Sequence, residues 1–422
     1  MSDNSIPGPE SIVRHVFDNG IVLLVRENFS SPSVVIEGAL WAGSLDEPEA
    51  QAGLAAFVAD AVTRGTRRRT FAQIYEEVES VGASLGVEGG RHTTGFGAKG
   101  LAEDLGLLLD ILSDVLRQPV FPPEEVEKVR GEILTDFRVR AHDTRRMASL
   151  EFRALAYPHH PYGRSVEGTP ETVTPITVGD LMAFHRTHYG PQGMIIAVVG
   201  AVKAEQAIER VGQAFGDWEN PDKPERPPLP PVEPIASVRE KRVVIPGKSQ
   251  SDIVMGWIGP ARQEPDYLDA VLANTILGVF GMYGRLGDNV RDVQGLAYYA
   301  YSRLEGGLGP GPWTAVAGVN PRNIDRAIHS IRDEVRRLQD ERVGADELAD
   351  NKAYLTGSLP LRLETNEGVA QALLDMERYG LGLDYLQRYT DLIQAITAEQ
   401  VQAAAQKYLN PDAYALAVAG PE

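Results

Sequence analysis

Residues 176–200 read ITVGDLMAFHRTHYGPQGMIIAVVG, and residues 396–420 read ITAEQVQAAAQKYLNPDAYALAVAG. Laid over each other without a gap, at an offset of 220, they agree at 7 of 25 positions. The physical pattern agrees further. Thr177 and Thr397 stand where a helix N-cap is wanted, because a threonine hydroxyl can accept from an amide of the first turn. An amphipathic helix follows and is stopped at Gly190-Pro191 or Asn410-Pro411. A short apolar strand, 194–199 or 414–419, then closes on glycine. The same helix–turn–strand unit occurs twice, so the chain reads as a duplication.

The segment between the copies supports this. Seven of the chain's 28 prolines fall within 220–234. That density forbids helix and favours an extended, semi-rigid linker. The expected organisation is a first domain over 12–216, a linker over 217–237 and a second domain over 238–422. Strands are expected at 21–26 and 34–41, and helices at 53–63, 71–81, 101–116 and 122–140. In the second half, 252–258 and 296–303 read as strands and 267–277 as a helix. Strands occur as neighbours as well as between helices, which favours an α+β fold over a strictly alternating α/β one.

Composition narrows the function classes. The chain has 422 residues, enough for two large domains. Lys and Arg total 41 against 59 for Asp and Glu, a net charge of −18, which disfavours nucleic acid or an anionic membrane as partner. With no cysteine, disulfides, zinc fingers and thiol nucleophiles are excluded. The N-terminal stretch lacks the basic and apolar regions of a signal peptide, and the most apolar run, 194–202, is far short of the ~20 residues that span a bilayer. The expectation is a cytoplasmic protein. No H-E-x-x-H, G-x-S-x-G or P-loop motif occurs. His185 and His188, one helical turn apart, make a weak two-ligand pattern better read as a helix face.

Five segments, in order and spacing, carry a resemblance: GLAAFVADAVTRGT at 53–66, FPPEEVEKVRGEILTDF at 121–137, HPYGR at 160–164, GMYGRLGDNVRDVQGLAYYAYS at 281–302 and YGLGLDYLQRY at 379–389. Together they resemble the M16 family of zinc peptidases, which includes pitrilysin-like peptidases and mitochondrial processing peptidase subunits. The resemblance implies two similar α+β domains, each an antiparallel sheet with helices on one face, joined as half of a clamshell.

It also implies where a metal would be held. The family's H-x-x-E-H motif places two histidines and a general base on one helical face, and a later helix adds a glutamate. Here Ala56 and Asp60 occupy the histidine positions, Ala59 that of the base, and Asp136 that of the third ligand. Two short carboxylates cannot replace three ligands and a base. No cofactor is therefore expected in this chain, and zinc is expected in a partner subunit that carries an intact H-x-x-E-H. Arg291 and Tyr298, seven apart, resemble the pair that reaches substrate across the clamshell. The guanidinium would hold a backbone carbonyl, and the phenol would donate to the oxyanion. Gly281 and Gly284 resemble a substrate-handling glycine loop. The implied function is the non-catalytic subunit of a heterodimeric zinc endopeptidase, with peptides as further partners. The alternatives are a scaffold subunit without a role in proteolysis, and a homodimer that binds peptides without cutting them.

Overall fold

A computed structural model describes residues 6–279 and 284–422. The first half contains β1 (Val13–Val16), β2 (Val22–Glu27), β3 (Ser33–Leu40), α1 (Leu54–Ala61), α2 (Phe71–Ser80), β4 (Ser84–Gly89), β5 (Thr94–Leu101), α3 (Leu105–Arg117), α4 (Pro123–Ala141), α5 (Thr144–Ala156), α6 (Pro170–Val173), α7 (Val178–His188), β6 (Ile195–Gly200) and α8 (Ala204–Phe215). The second contains β7 (Arg239–Val244), β8 (Ser251–Ile258), α9 (Tyr267–Gly278), a π-helical turn (Gly287–Val293), β9 (Ala297–Leu304), β10 (Pro312–Val319), α10 (Ile324–Asp340), α11 (Ala345–Arg362), α12 (Asn366–Arg378), α13 (Tyr385–Ala395), α14 (Ala398–Tyr408) and β11 (Ala415–Gly420).

The strands form two sheets of one topology. Sheet 1 runs β1-β2-β6-β3-β5-β4 and sheet 2 runs β7-β11-β8-β10-β9. Every described pairing is antiparallel except β2 with β6 and its counterpart β7 with β11. Register agrees as well: Val198, Ile36, Ala98 and Leu85 stand in one row of sheet 1, and Val418, Ile253, Ala317 and Ala300 in the matching row of sheet 2. The repeat read from sequence occupies equivalent places. Thr177 and Thr397 each close a capping box on α7 and α14, and β6 and β11 lie inside their sheets. Both strands are buried at all six residues, which explains their unbroken apolar sequence: a strand covered on both faces has no polar side.

That double cover comes from an exchange. One compact unit comprises Met1–Thr135, Ser165–Pro227 and Pro360–Gln387; the other comprises Asp136–Arg164, Pro228–Leu359 and Arg388–Glu422. Helix α5, from the first half of the chain, thus packs on sheet 2 against β8 and β11. Helix α12, from the second half, packs on sheet 1 against β6 and β3. In the first unit Val369, Ala370, Leu373 and Leu374 of α12 are buried, and Asn366 Nδ2 donates to Ser33 Oγ at 3.2 Å. Leu108 of α3 approaches the opposite sheet face at Gly100. Each such leucine is worth about 1.5–3 kcal/mol when fully buried.

Two local differences from the sequence reading have physical causes. The helix expected from residue 101 begins at Leu105, because 94–101 is β5, paired to β3 along its whole length. The proline-rich linker is irregular as expected, but its first part is fastened down. Asn220 Nδ2 donates to the carbonyls of Arg186 and Tyr189, Lys223 Nζ to those of Gly190 and Gln192, and Arg226 lies 4.4 Å over the Trp41 ring. Burial lowers the Lys223 ammonium to about 8. Among the described residues no helix is long and apolar enough to cross a membrane.

Candidate functional site

Helix α1 carries the positions where the family's metal motif would lie. Its N-terminus is held by Glu47, a buried carboxylate that accepts from Gly53 N at 2.8 Å and Ala55 N at 2.7 Å. The helix lies so close to β4 that a Cβ on Gly89 would come within 2.6 Å of Ala56 Cα. Ala59 is buried. Asp60 is exposed at its tip, yet enough protein surrounds the carboxyl that desolvation raises it to about 6. Arg64 opposes that rise, while Glu132, Glu167 and Glu88 add to it. Asp136, on α4 in the other unit, is occupied. Arg146 donates to both its oxygens, at 3.0 and 2.6 Å, and that fork holds the carboxyl below its usual range. Two alanines, a lone aspartate and a carboxylate clamped by arginine do not fit a zinc ion. No group of three or more His, Asp or Glu among the described residues is placed to hold a metal.

The second half builds a different feature. Arg291 lies in the π-helical turn Gly287–Val293, which ends at Gln294 and turns at Gly295, where φ is +61°. The turn is irregular because two bonds skip the usual spacing: Gln294 N donates to Asn289 O at 3.0 Å and Leu296 N to Val290 O at 2.9 Å. A polar network fixes it. Gln294 Nε2 donates to Asn289 Oδ1 and Ser330 Oγ, Asn289 Nδ2 donates to Glu334, and Arg337 pairs with the same buried Glu334. Arg291 is a third exposed, and its one ion pair among the described residues is a long one of 3.6 Å with its neighbour Asp292.

Tyr298 follows at once on β9. The register slips between Gly318 and Val319: Gly318 faces Tyr299, and Val319 faces Ala297. Tyr298 is the extra residue of this bulge, a device that re-aims a side chain out of the ladder. It is 77% exposed, while Ala300 and Ser302 further along are buried. A regular strand would put Leu296, Tyr298, Ala300 and Ser302 on one face; the bulge breaks that face at Tyr298. Gln294-Gly295 has turn chemistry in the sequence, whereas the π-helical winding and the Asn289, Gln294, Ser330 and Glu334 network leave no sequence signal.

The remaining candidates resolve as architecture. Gly281 lies outside the described residues. Gly284 has φ +100°, and a Cβ there would come within 2.5 Å of Gly278 Cα, so close approach of two backbones requires glycine. His185 Nε2 is 2.9 Å from Leu116 O, and burial lowers its ring to about 4; His188 is lowered by burial too. His160 accepts from Tyr162 N and faces Pro230 O, fixing a turn. A feature missed entirely is a cavity of about 770 Å³ in the first unit, over β4 and β5 beside α12, with Gly86, Gly97 and Glu37 in its lining.

Comparison with known proteins matches two family models in sequence. Residues 24–170 match the insulinase model of peptidase family M16, and residues 175–355 match the peptidase M16 inactive domain. The chain belongs to the M16 peptidase family. This M16 chain is 29% identical to an uncharacterized zinc protease of Streptomyces coelicolor over 83% of its own length and 77% of the relative's. It is 25% identical to a probable mitochondrial-processing peptidase subunit beta of Arabidopsis thaliana, over 99% of its length and 79% of the relative's. Among solved structures, a peptidase M16 inactive domain from Pseudomonas fluorescens matches with a TM-score of 0.89 at 25% identity, covering 97% of this chain and 98% of that one. A Helicobacter pylori protease matches in fold, also with a TM-score of 0.89, at 18% identity over 97% and 99% of the two chains.

Proposed function

We propose that this M16 chain is the non-catalytic subunit of a heterodimeric zinc endopeptidase and supplies Arg291 and Tyr298 to the site of a metal-bearing M16 partner. The observation that carries the reading is the contrast within the chain. The metal positions hold Ala56, Ala59, Asp60 and an Arg146-bound Asp136. Tyr298 instead projects from a bulge at 77% exposure, seven residues after an Arg291 whose supporting turn is held by part-buried hydrogen bonds. A tyrosine that served the core would be turned inward. A preorganised phenol aimed outward suits a developing negative charge, since it needs no reorganisation when that charge forms. The guanidinium offers planar donors for a peptide carbonyl. This chain's residues would bind and orient the peptide and donate to the oxyanion, while the partner supplies zinc and base.

The test is reconstitution. The purified chain should not cleave peptides alone. Mixed with an M16 subunit that carries an intact H-x-x-E-H, it should form a heterodimer whose peptide cleavage far exceeds that of either chain. Assembly with no gain in cleavage would favour the scaffold reading.

A further inference from the structure

Strand β9 is the last of sheet 2 and pairs with β10 alone among the described residues. Its register is regular from Leu304 opposite Trp313 to Tyr299 opposite Gly318. It slips at the next step, where Val319 faces Ala297. Tyr299 is therefore the last residue in step before the bulge. A strand with one neighbour has little in its ladder to fix where an extra residue is accommodated. Moving the bulge one residue along β9 would turn the side chains it passes to the other face. A side-chain anchor has to hold it at Tyr298.

The anchor is in the same row of the sheet. Strands β8, β10 and β9 set Asp252, Gly318 and Tyr299 side by side. Tyr299 crosses β10 at Gly318, where a Cβ would come within 2.6 Å of the ring, so the bare backbone is what leaves room. Its hydroxyl donates to Asp252 Oδ1. Asp252 is buried and is itself held, because Thr144, the first residue of α5, donates to Oδ2. Burial, and then Asp252 beside it, raise the Tyr299 phenol well above its usual range, so it keeps the proton it donates. Thr144, Asp252 and Tyr299 together tie the edge strand to the helix packed on β8.

We infer that Tyr299 is a positioning residue: bound to Asp252 across Gly318, it pins the end of the regular ladder, so the bulge opens at Tyr298 and turns that ring outward. Limited nitration of the free full-length chain with tetranitromethane, mapped by mass spectrometry, reads this directly. Tyr298 should be nitrated ahead of Tyr75 and Tyr354, which are 38% and 41% exposed. Tyr299→Phe removes the hydroxyl that Asp252 accepts, and Tyr298 should lose that lead. Gly318→Ala displaces the Tyr299 ring by another route and should cause the same loss. Asp252→Asn keeps an acceptor oxygen and should preserve the lead. The consequence for catalysis rests on the proposed function. In the reconstituted heterodimer Tyr299→Phe should lower kcat about 10–100-fold, with assembly and KM little changed. Added to Tyr298→Phe it should cost nothing further, because both changes act through one phenol. The nitration arm needs no partner, so cleavage indifferent to Tyr298→Phe would sink the proposed function and leave the anchor to be judged on the free chain. An undiminished Tyr298 lead in either folded variant, Tyr299→Phe or Gly318→Ala, would overturn the inference. So would full kcat for Tyr299→Phe where Tyr298→Phe is impaired.

Discussion

At the scale of single residues, the chain separates side chains that could act from those already engaged. Asp60 is the carboxylate of the metal positions that no hydrogen bond or ion pair engages among the described residues, and its elevated pKa gives a direct check. A carbon-detected NMR titration should place its midpoint near 6, well above the usual ~3.9. Glu132→Gln removes a like charge and should lower that midpoint; Arg64→Met removes an opposing one and should raise it. The sign for stability follows: the raised acid favours the folded state when protonated, so its penalty is absent below about 4 and complete above about 6. Asp60→Asn should therefore raise Tm at pH 8 and not at pH 3.5, by an amount that water at the exposed carboxyl keeps small. Arg291 makes a different prediction. Its one ion pair among the described residues is long and exposed, so Arg291→Ala should leave stability within about 0.5 kcal/mol by denaturant unfolding. In a reconstituted heterodimer the same change should weaken cleavage through KM if the guanidinium holds ground and transition states alike.

At the scale of elements, the π-helical turn and the bulge are what make Arg291 and Tyr298 available. Gln294 bonds to Asn289 and Ser330 together; Gln294→Ala would leave Asn289 Oδ1 without its donor, while the Ser330 hydroxyl keeps only its bond to Arg326 O. A loss of about 1–3 kcal/mol in urea unfolding is expected, with cleavage falling beyond what the unfolded fraction explains. The turn itself was legible in the sequence, because Gln294-Gly295 ahead of a tyrosine-rich strand has the chemistry of a turn. The winding was not, since a single inserted residue leaves no periodic signal. The bulge at Tyr298 was hidden for the same reason. The β4–β5 hairpin was missed on other grounds: glycines at 86, 89, 90, 95, 97 and 100 depress strand propensity, although Phe96 and Ala98 between them keep the two-residue alternation of a strand. All of those glycines but Gly100 line the cavity beside α12, so the feature that concealed the strands is also the one that leaves this space open.

At the scale of the whole molecule, the duplication was readable from one ungapped repeat, because burial on both faces imposes the same apolar run on β6 and β11. The helix exchange was not, because nothing local to α5 or α12 records which sheet will cover it. Its consequence is testable. Residues 6–216 alone lack α12 and residues 238–422 alone lack α5, so each isolated half should show no cooperative unfolding transition by circular dichroism, whereas co-expressed halves should recover one. A native-like transition in either half alone would contradict the exchange. The central claim is that a chain without metal ligands completes the active site of one that has them. The most direct measurement is the kcat of the heterodimer carrying Tyr298→Phe, a change that removes one exposed hydroxyl and no packing. The account predicts normal assembly with kcat lowered on the order of 10²–10³-fold; a Tyr298→Phe heterodimer that cleaves peptide at the full rate would contradict it.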